Sequence, residues 1–152
     1  MGFSVSGSAA VIFVATFVGF GMFYSATTNS MELVNDARDD QQERLLEQEN
    51  TAIRLAAVEY NSTSDWLNVT VVNTGATELA VSDVDLLADN SYVVPDRTAV
   101  DNDVGTDLWL PRETLRINAS VASNPSLVDD PGRVKLVTGP GIAATGTTTV
   151  VV

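Results

Sequence analysis

Residues 9–26 read AAVIFVATFVGFGMFYSA, and this apolar stretch decides how the rest of the chain is placed. No charged side chain occurs from Phe3 to Met31. An α-helix needs about 20 apolar residues to cross the ~30 Å hydrocarbon core of a bilayer. The core helix of a soluble protein normally keeps one polar face, and this stretch has none. The pattern predicts a transmembrane helix over residues 1–29 that anchors the chain in the cytoplasmic membrane.

A secretory signal peptide and a pilin-type leader are the alternatives for this segment. A signal peptide carries a basic region before its apolar run, and a pilin-type leader has a basic residue there, whereas the first Lys or Arg of this chain is Arg38. A retained single-pass anchor is therefore favoured. No Lys or Arg precedes the span, so the positive-inside rule gives no orientation from that side. The acidic remainder and its glycosylation sequons predict that the N-terminus lies inside and the C-terminal domain lies in the extracytoplasmic space.

The composition of the chain limits its chemistry and its partners. Asp and Glu total 20 against 8 Lys and Arg, which gives a net charge of −12, and Lys135 is the one lysine. Such an acidic, lysine-poor surface is typical of halophilic proteins, because molar salt shortens the Debye length to ~3 Å and screens self-repulsion. Nucleic acid is not expected as a partner. Cys and His are absent, which excludes disulfides, thiolate sites and Ser-His-Asp catalysis. We expect a non-enzymatic protein without a cofactor or a metal.

Residues 30–58 form a polar segment rich in Glu, Gln, Arg and Leu, with no Gly or Pro. This composition favours a helix, which the membrane helix before it would already have nucleated. Apolar residues recur at loose heptad spacings, interrupted by Gln41 and Gln48. The sequence therefore predicts a helical stalk, either a spacer with weak dimer contacts or a solvated juxtamembrane helix.

Residues 59–152 show the alternation of apolar and polar side chains that is typical of strands. Leu67, Val69 and Val71 alternate with Asn68 and Thr70 before an Asn-Thr-Gly turn. A second clean alternation runs from Thr114 to Val121, and further short β-patterned segments follow. Six or seven short strands in about 100 residues predict an all-β, immunoglobulin-like β-sandwich ectodomain behind the N-terminal helix. Residues 94–106 are expected to form a long polar loop.

Five segments, taken in order, carry a family resemblance. They are MGFSVSGSAAVIF (1–13), VNDARDDQQERLLEQENTAI (34–53), NVTVVNTGATEL (68–79), DLWLPRETLRI (107–117) and GRVKLVTGPGIA (132–143). Together they resemble the F-type accessory protein of the archaellum, the archaeal flagellum, known as the FlaF or ArlF family, in its haloarchaeal form.

The resemblance implies a membrane-anchored component of the archaellum motor. Its β-sandwich would lie in the pseudoperiplasm and bind the S-layer protein, so that it acts as a stator for motility. The implied partners are the G-type accessory protein (FlaG or ArlG), the motor complex and a second copy of the chain in a homodimer. The alternative is an archaellin- or pilin-like filament subunit. A surface carbohydrate-binding or hydrolytic module is a third class, for which few aromatic platforms are available; Trp109 also fits a core position.

Candidate functional residues are of two kinds. Asn61, Asn68 and Asn118 each begin an Asn-X-Ser/Thr sequon and are candidate N-glycosylation sites. Asn68 and Asn118 alternate with apolar neighbours, so we expect both to face solvent. Candidate partner contacts are Trp66, near a predicted strand edge, and the acidic residues Asp101 and Asp103.

Asp101 and Asp103 lie in the predicted loop 94–106. Their surroundings, Asp101-Asn102-Asp103-Val104-Gly105-Thr106-Asp107, are rich in oxygen ligands but fail the EF-hand pattern, since Gly105 is at the fifth position. A solvated acidic loop is therefore favoured over a calcium site.

Overall fold

A computed structural model describes residues 3–125, 127 and 129–152, with side chains from Ser6 onward. The chain forms two compact units, one that ends at Glu43 and a second that comprises Arg44–Val152. Helix α1 spans Phe3–Asn50. Within the described residues, one helix is long and apolar enough to cross a bilayer, and its most apolar stretch has a mean hydropathy of 1.9.

The hydroxyl groups of the apolar helix bond within the helix itself. Thr16 Oγ1 donates to the Ile12 carbonyl at 2.8 Å, and Thr27 Oγ1 donates to the Phe23 carbonyl at 2.9 Å. In hydrocarbon an unsatisfied polar group costs several kcal/mol, so this back-bonding makes the hydroxyls compatible with lipid. Phe17 is 75% exposed, as a side chain that faces lipid would be.

Eleven strands follow the helix within the described residues, with a 3-10 turn between the third and the fourth. They are β1 (Ile53–Asn61), β2 (Trp66–Asn73), β3 (Leu79–Ala80), β4 (Asp85–Ala88), β5 (Ser91–Val93), β6 (Arg97–Val100), β7 (Leu108–Trp109), β8 (Thr114–Ser120), β9 (Arg133–Val137), β10 (Ala143–Thr147) and β11 (Thr149–Val151).

The strands form two main sheets. The five-stranded sheet has the order β11-β1-β2-β8-β6, and the four-stranded sheet has the order β10-β9-β4-β5. Strands β3 and β7 make a separate pair. Strand β11 runs parallel to β1, and the other paired strands are antiparallel. The predicted fold class, a β-sandwich behind a long N-terminal helix, is confirmed.

The core of the sandwich is built from the alternating residues that the sequence pattern indicated. Leu67, Val69 and Val71 of β2 are at most 1% exposed, and Leu115 and Ile117 of the neighbouring β8 are buried with them. Burial of each such side chain contributes about 1.5–3 kcal/mol. The opposite residues of both strands face outward, and they form the surface described below.

The predicted boundary of the helical stalk at residue 58 is wrong. Helix α1 ends at Asn50, and β1 begins at Ile53. Ala, Leu, Arg and Glu in residues 53–59 are good helix formers, but pairing with β2 and burial of Val58 and Tyr60 favour the strand. A β-bulge between Leu55 and Ala57 shifts the register, which hides the period-2 pattern in the sequence.

The prediction of one long loop over residues 94–106 is also wrong. Strand β6 lies in the middle of this stretch and pairs with β8, from Arg97↔Asn118 to Val100↔Leu115. Turn residues at both ends, Pro95-Asp96 and Asp101-Asn102, make the segment resemble a loop. Its four central residues nevertheless complete one edge of the five-stranded sheet.

Candidate functional site

A polar groove crosses the outer face of the five-stranded sheet. Antiparallel register places Asn68 of β2 opposite Asn118 of β8, and Asn118 opposite Arg97 of β6. In the next row, Asn61 of β1 lies opposite Trp66 of β2. The polar groove has a volume of about 600 Å³ and is lined by Asn61, Ser64, Trp66, Asn68, Asp96, Arg97 and Asn118. This volume lies within the range of about 300–1,000 Å³ of small-molecule sites.

The alternation of the strands explains why these side chains share one face. Leu67 and Val69 point into the core, so Trp66 and Asn68 point outward. Trp66 remains 37% exposed, although a large aromatic side chain gains most from full burial. The groove therefore offers one aromatic surface beside amide and guanidinium groups.

The amides of the groove are held by hydrogen bonds. Asn118 Nδ2 donates to Asn68 Oδ1 across the strand pair. Asn61 Oδ1 accepts the backbone N–H groups of Thr63 at 3.0 Å and Ser64 at 2.8 Å. The latter bonds form an Asx turn that fixes the end of β1.

Asp96 supplies the carboxylate of the groove. Its Oδ2 accepts the backbone N–H of Ser120 at 2.7 Å. Hydrogen bonds from the Ser123 hydroxyl and from the Ser120 N–H lower the pKa of Asp96 below its usual value. The carboxylate is therefore ionised at neutral pH and is a poor general acid. The described residues that line the groove are suited to binding a ligand rather than to acid–base catalysis.

The lowered pKa of Asp96 predicts a contribution to stability that depends on pH. Because the folded pKa lies below the unfolded value of about 3.9, this contribution is present above pH ~4 and is lost as the pH falls through the folded pKa. We expect Asp96→Asn to reduce the loss of melting temperature on acidification below pH ~4. Calorimetry at stepped pH measures this, with Asp40→Asn on α1 as the control. A wild-type slope in Asp96→Asn would contradict the prediction.

The structure brings together four of the six candidate site residues. The sequon asparagines Asn61, Asn68 and Asn118 and the aromatic Trp66 line one groove. Glycan occupancy and partner contact at these positions stay predictions. Ser64, Asp96 and Arg97 were missed as members of the site. The β1–β2 hairpin turn brings Ser64 to the groove, and the pairing of β6 with β8 brings Asp96 and Arg97 there.

Asp101 and Asp103 lie beyond the far end of β6 and not in the polar groove. Asp101 Oδ1 accepts the Thr114 N–H at 3.0 Å, and Asp103 Oδ1 accepts the Gly105 N–H at 2.8 Å. Both carboxylates thus stabilise turns. Their predicted contact with a partner is untested.

A second feature, termed the junction, comprises residues 47–52 together with residues 73–76 and Pro140. The N–H groups of Thr74 and Gly75 both donate to the Ala52 carbonyl at 2.8 Å, and the Ala76 N–H donates to the Asn50 carbonyl at 2.8 Å. Gln48 Nε2 donates to the Pro140 carbonyl at 3.0 Å. The sandwich therefore bonds the Asn50 carbonyl, which the helix end leaves unsatisfied, and the Ala52 carbonyl in the link to β1.

Asn73 organises the turn of the junction from inside the sandwich. Its side chain is fully buried, and its Oδ1 accepts the Gly75 N–H at 3.0 Å. Its Nδ2 donates to the carbonyls of Thr77 at 2.8 Å and Trp109 at 3.3 Å. A buried amide with satisfied donors and acceptor is costly to disturb, so the turn is held in one conformation.

Comparison with solved structures finds several matches of low identity. FlaG from Sulfolobus acidocaldarius, an archaellum periplasmic stator protein, is 14% identical over 63% of this chain and 97% of that chain, with a TM-score of 0.45. A chain of the FlaF–FlaG stator complex from the same organism is 13% identical over 62% and 85%, with a TM-score of 0.43. A lipoprotein, YcdA, from Bacillus subtilis is 16% identical over 64% and 36%, with a TM-score of 0.34. Likeness at this level does not indicate a shared function.

Comparison with known sequences finds one family model that matches nearly the whole chain. Curated proteins give no match. The family model described as archaeal-type flagellin matches residues 2–150, which include the apolar helix and the sandwich together. This match confirms the link to archaellum proteins that the five sequence segments predicted. The chain belongs to the archaeal-type flagellin family.

Proposed function

We propose that the protein is an F-type accessory component of the archaellum, anchored in the cytoplasmic membrane by α1, with its β-sandwich outside and bound to the S-layer as a stator. The observation that carries the proposal is the ordered set of five segments within a chain that the family model matches over residues 2–150. The function requires binding and mechanical resistance, and no catalysis.

The junction supports the mechanical part of this proposal. Residues of three of the five segments form it: Gln48, Asn50 and Ala52 from the second, residues 73–76 from the third and Pro140 from the fifth. Trp109 from the fourth segment accepts a hydrogen bond from Asn73 of the junction. A stator has to transmit a reaction force between membrane and outer layer without yielding. Several short hydrogen bonds at the end of the helix resist bending there, because each must break together with its neighbours.

The contact with an S-layer would have to form without long-range attraction. At a net charge of −12 the chain repels other acidic surfaces, and high salt screens charge beyond a few Å. Apolar contact and pairing at a sheet edge remain effective in salt. Strand β6 is an edge of the five-stranded sheet, and Val104, which follows it, is 65% exposed. We propose that this edge carries the S-layer contact.

Retention on immobilised S-layer protein tests the proposal. The full chain in detergent, in molar KCl, is passed over S-layer protein extracted from the same cells. We expect saturable retention, and its loss in Val104→Asp, because a new carboxylate at the contact would have to be desolvated. The matched control is Val150→Asp on β11, at the opposite edge of the same sheet, where Val150 is 46% exposed. No retention of the folded wild-type chain would overturn the S-layer contact.

The proposed partners and location follow from the same assignment. The N-terminus lies in the cytoplasm, and the sandwich lies in the pseudoperiplasm under the S-layer. The G-type accessory protein and the motor complex are the proposed archaellum partners, and a homodimer is the proposed assembly. Cross-linking in native membranes, followed by identification of the bound chains, tests each of these associations.

A filament subunit of the archaellin or pilin type is the second candidate, because the matching family model is that of archaeal-type flagellin. The two functions differ in where the protein is found and in how its N-terminus is treated. A filament subunit would be recovered in sheared filaments with a processed start before the apolar helix. An accessory protein would stay in the membrane fraction with Met1 or Gly2 at its N-terminus.

A further inference from the structure

The β1–β2 hairpin presents one of the three sequons differently from the other two. Asn61 is the last residue of β1, and Ser62 and Thr63 lie in the exposed turn. Asn61 is itself paired on both sides, with Val151 of β11 and Trp66 of β2. The other two sequons, residues 68–70 and 118–120, lie entirely within β2 and β8. An enzyme that modifies a sequon binds the two residues after the asparagine as well as the asparagine, and in the described structure the Asn61 sequon alone has these two residues in an exposed turn.

The side-chain hydrogen bonds also separate Asn61 from Asn118. Asn118 Nδ2 is engaged with Asn68 Oδ1, so a sugar on Nδ2 of Asn118 would disturb that bond. The amide of Asn61 is bound to the turn through Oδ1. Its Nδ2 lies on the other side of the amide carbon, so a substituent there preserves both bonds of the Asx turn.

The hairpin that carries Asn61 is held in a fixed conformation. Tyr60 is 2% exposed, and its hydroxyl donates to Asp65 Oδ1 at 3.1 Å. Burial, and then this hydrogen bond, raise the pKa of Tyr60. The Asp65 N–H donates back to the Asn61 carbonyl at 2.9 Å. Asn61 is thereby kept at the mouth of the polar groove.

Trp66 lies directly opposite Asn61 in the strand pair, on the same face of the sheet. The apolar face of a sugar ring packs on an indole, while amide and guanidinium groups bind its hydroxyls. The groove provides these groups in one place, with Trp66 next to Asn61 and Asn68, Asn118 and Arg97 beyond it. A glycan attached at Asn61 would cover the exposed part of Trp66 without any backbone movement.

We propose that Asn61 carries an N-linked glycan whose first sugars stack on Trp66 and occupy the polar groove. The glycosyl donor is a lipid-phosphate-linked oligosaccharide. A bond forms between Asn61 Nδ2 and the anomeric carbon as the bond from that carbon to the phosphate oxygen breaks. The lipid phosphate leaves with the electron pair, and Nδ2 loses one proton. The inference rests on the extracytoplasmic location of the sandwich in the proposed function and does not require S-layer binding.

Glycopeptide mass spectrometry of the full chain from its native membranes tests attachment, and acrylamide quenching of tryptophan fluorescence tests stacking. Trp109 is fully buried and Trp66 is 37% exposed, so quenching of this two-tryptophan chain reports on Trp66. Thr63→Ala removes the sequon but keeps Asn61 and the backbone N–H of its turn. We expect the glycan mass to be lost and the quenching of Trp66 to rise.

Two further variants serve as matched controls. Thr63→Ser keeps the sequon and is expected to restore both the glycan mass and the protection of Trp66. Thr70→Ala removes the sequon of Asn68 and is expected to change neither. A chain without glycan at Asn61, a glycan at Asn68 or Asn118 instead, or equal quenching with and without the Asn61 glycan would overturn the proposal. S-layer retention of the same preparations separates this result from the stator function.

Discussion

Gly75→Ala is expected to destabilise the sandwich by about 3 kcal/mol, a large effect for the addition of one methyl group. A Cβ at this position would lie 2.5 Å from both the Ala52 nitrogen and the Asn50 carbonyl oxygen, and 3.1 Å from the Thr51 carbonyl carbon. All three atoms belong to the backbone, so no side chain can rotate away. The turn has to move, and the hydrogen bonds of the junction lengthen or break as it does.

The midpoint of thermal unfolding of the full chain in detergent measures this effect. We expect Gly75→Ala to lower the midpoint by roughly 10–20 °C, given the size of the sandwich. Gly132→Ala is the matched control, because its Cβ would meet Asp89 Oδ1 at 3.8 Å, an ordinary contact. A midpoint for Gly75→Ala equal to that of this control would show that residues 50–52 do not pack against the turn.

The same variant connects the junction to the proposed function. If the end of α1 transmits force to the sandwich, loosening its hydrogen bonds should impair motility even in cells whose sandwich still binds S-layer protein. Val104→Asp is expected to leave the junction intact but to abolish retention of the chain on immobilised S-layer protein. The two variants therefore separate transmission from attachment, which a deletion of the whole protein does not do.

The elements that the sequence predicted correctly share a simple physical signal. From Leu67 to Val71 in β2 and from Leu115 to Ala119 in β8, core residues alternate with outward polar residues, so the period of two is visible in the sequence. The apolar helix is recognisable from its length and its lack of charge. Strand β1 was missed because its bulge breaks the period and its residues favour a helix when taken alone. Tertiary pairing overrode that local preference.

Four residues of the polar groove could be predicted as candidates from the sequence, but their grouping into one site could not. The sequons and the outward direction of Asn68 and Asn118 follow from the sequence, and Trp66 stands out as an aromatic residue at a strand end. Their grouping depends on the register between β1, β2 and β8, which single-sequence patterns do not specify. Arg97 joins the groove only because β6 pairs with β8. Asp101 and Asp103 were chosen because they lie in the predicted loop 94–106. Both accept backbone hydrogen bonds there, and their contact with a partner stays a prediction.

Trp109→Ala is expected to cost about 3–5 kcal/mol, the range measured for removal of a large aromatic residue from a packed core. The side chain of Trp109 is fully buried, and its Nε1–H donates to the Glu113 carbonyl at 2.9 Å. Its own carbonyl accepts a hydrogen bond from Asn73 Nδ2, so the cavity would open directly behind the turn of the junction. Loss of packing at Trp109 should therefore also weaken the hold of Asn73 on the end of α1.

Calorimetry separates the packing of Trp109 from its hydrogen bond. Trp109→Phe keeps most of the apolar bulk and removes the N–H, so we expect a smaller loss of about 1–3 kcal/mol. Trp66→Ala, at the half-exposed tryptophan of the polar groove, is expected to change unfolding by no more than about 0.5 kcal/mol in the chain without glycan. A loss for Trp109→Ala no larger than that for Trp66→Ala would contradict the burial of Trp109. Faster proteolysis near residues 50–52 in Trp109→Ala alone would show that the core beneath the turn supports the junction.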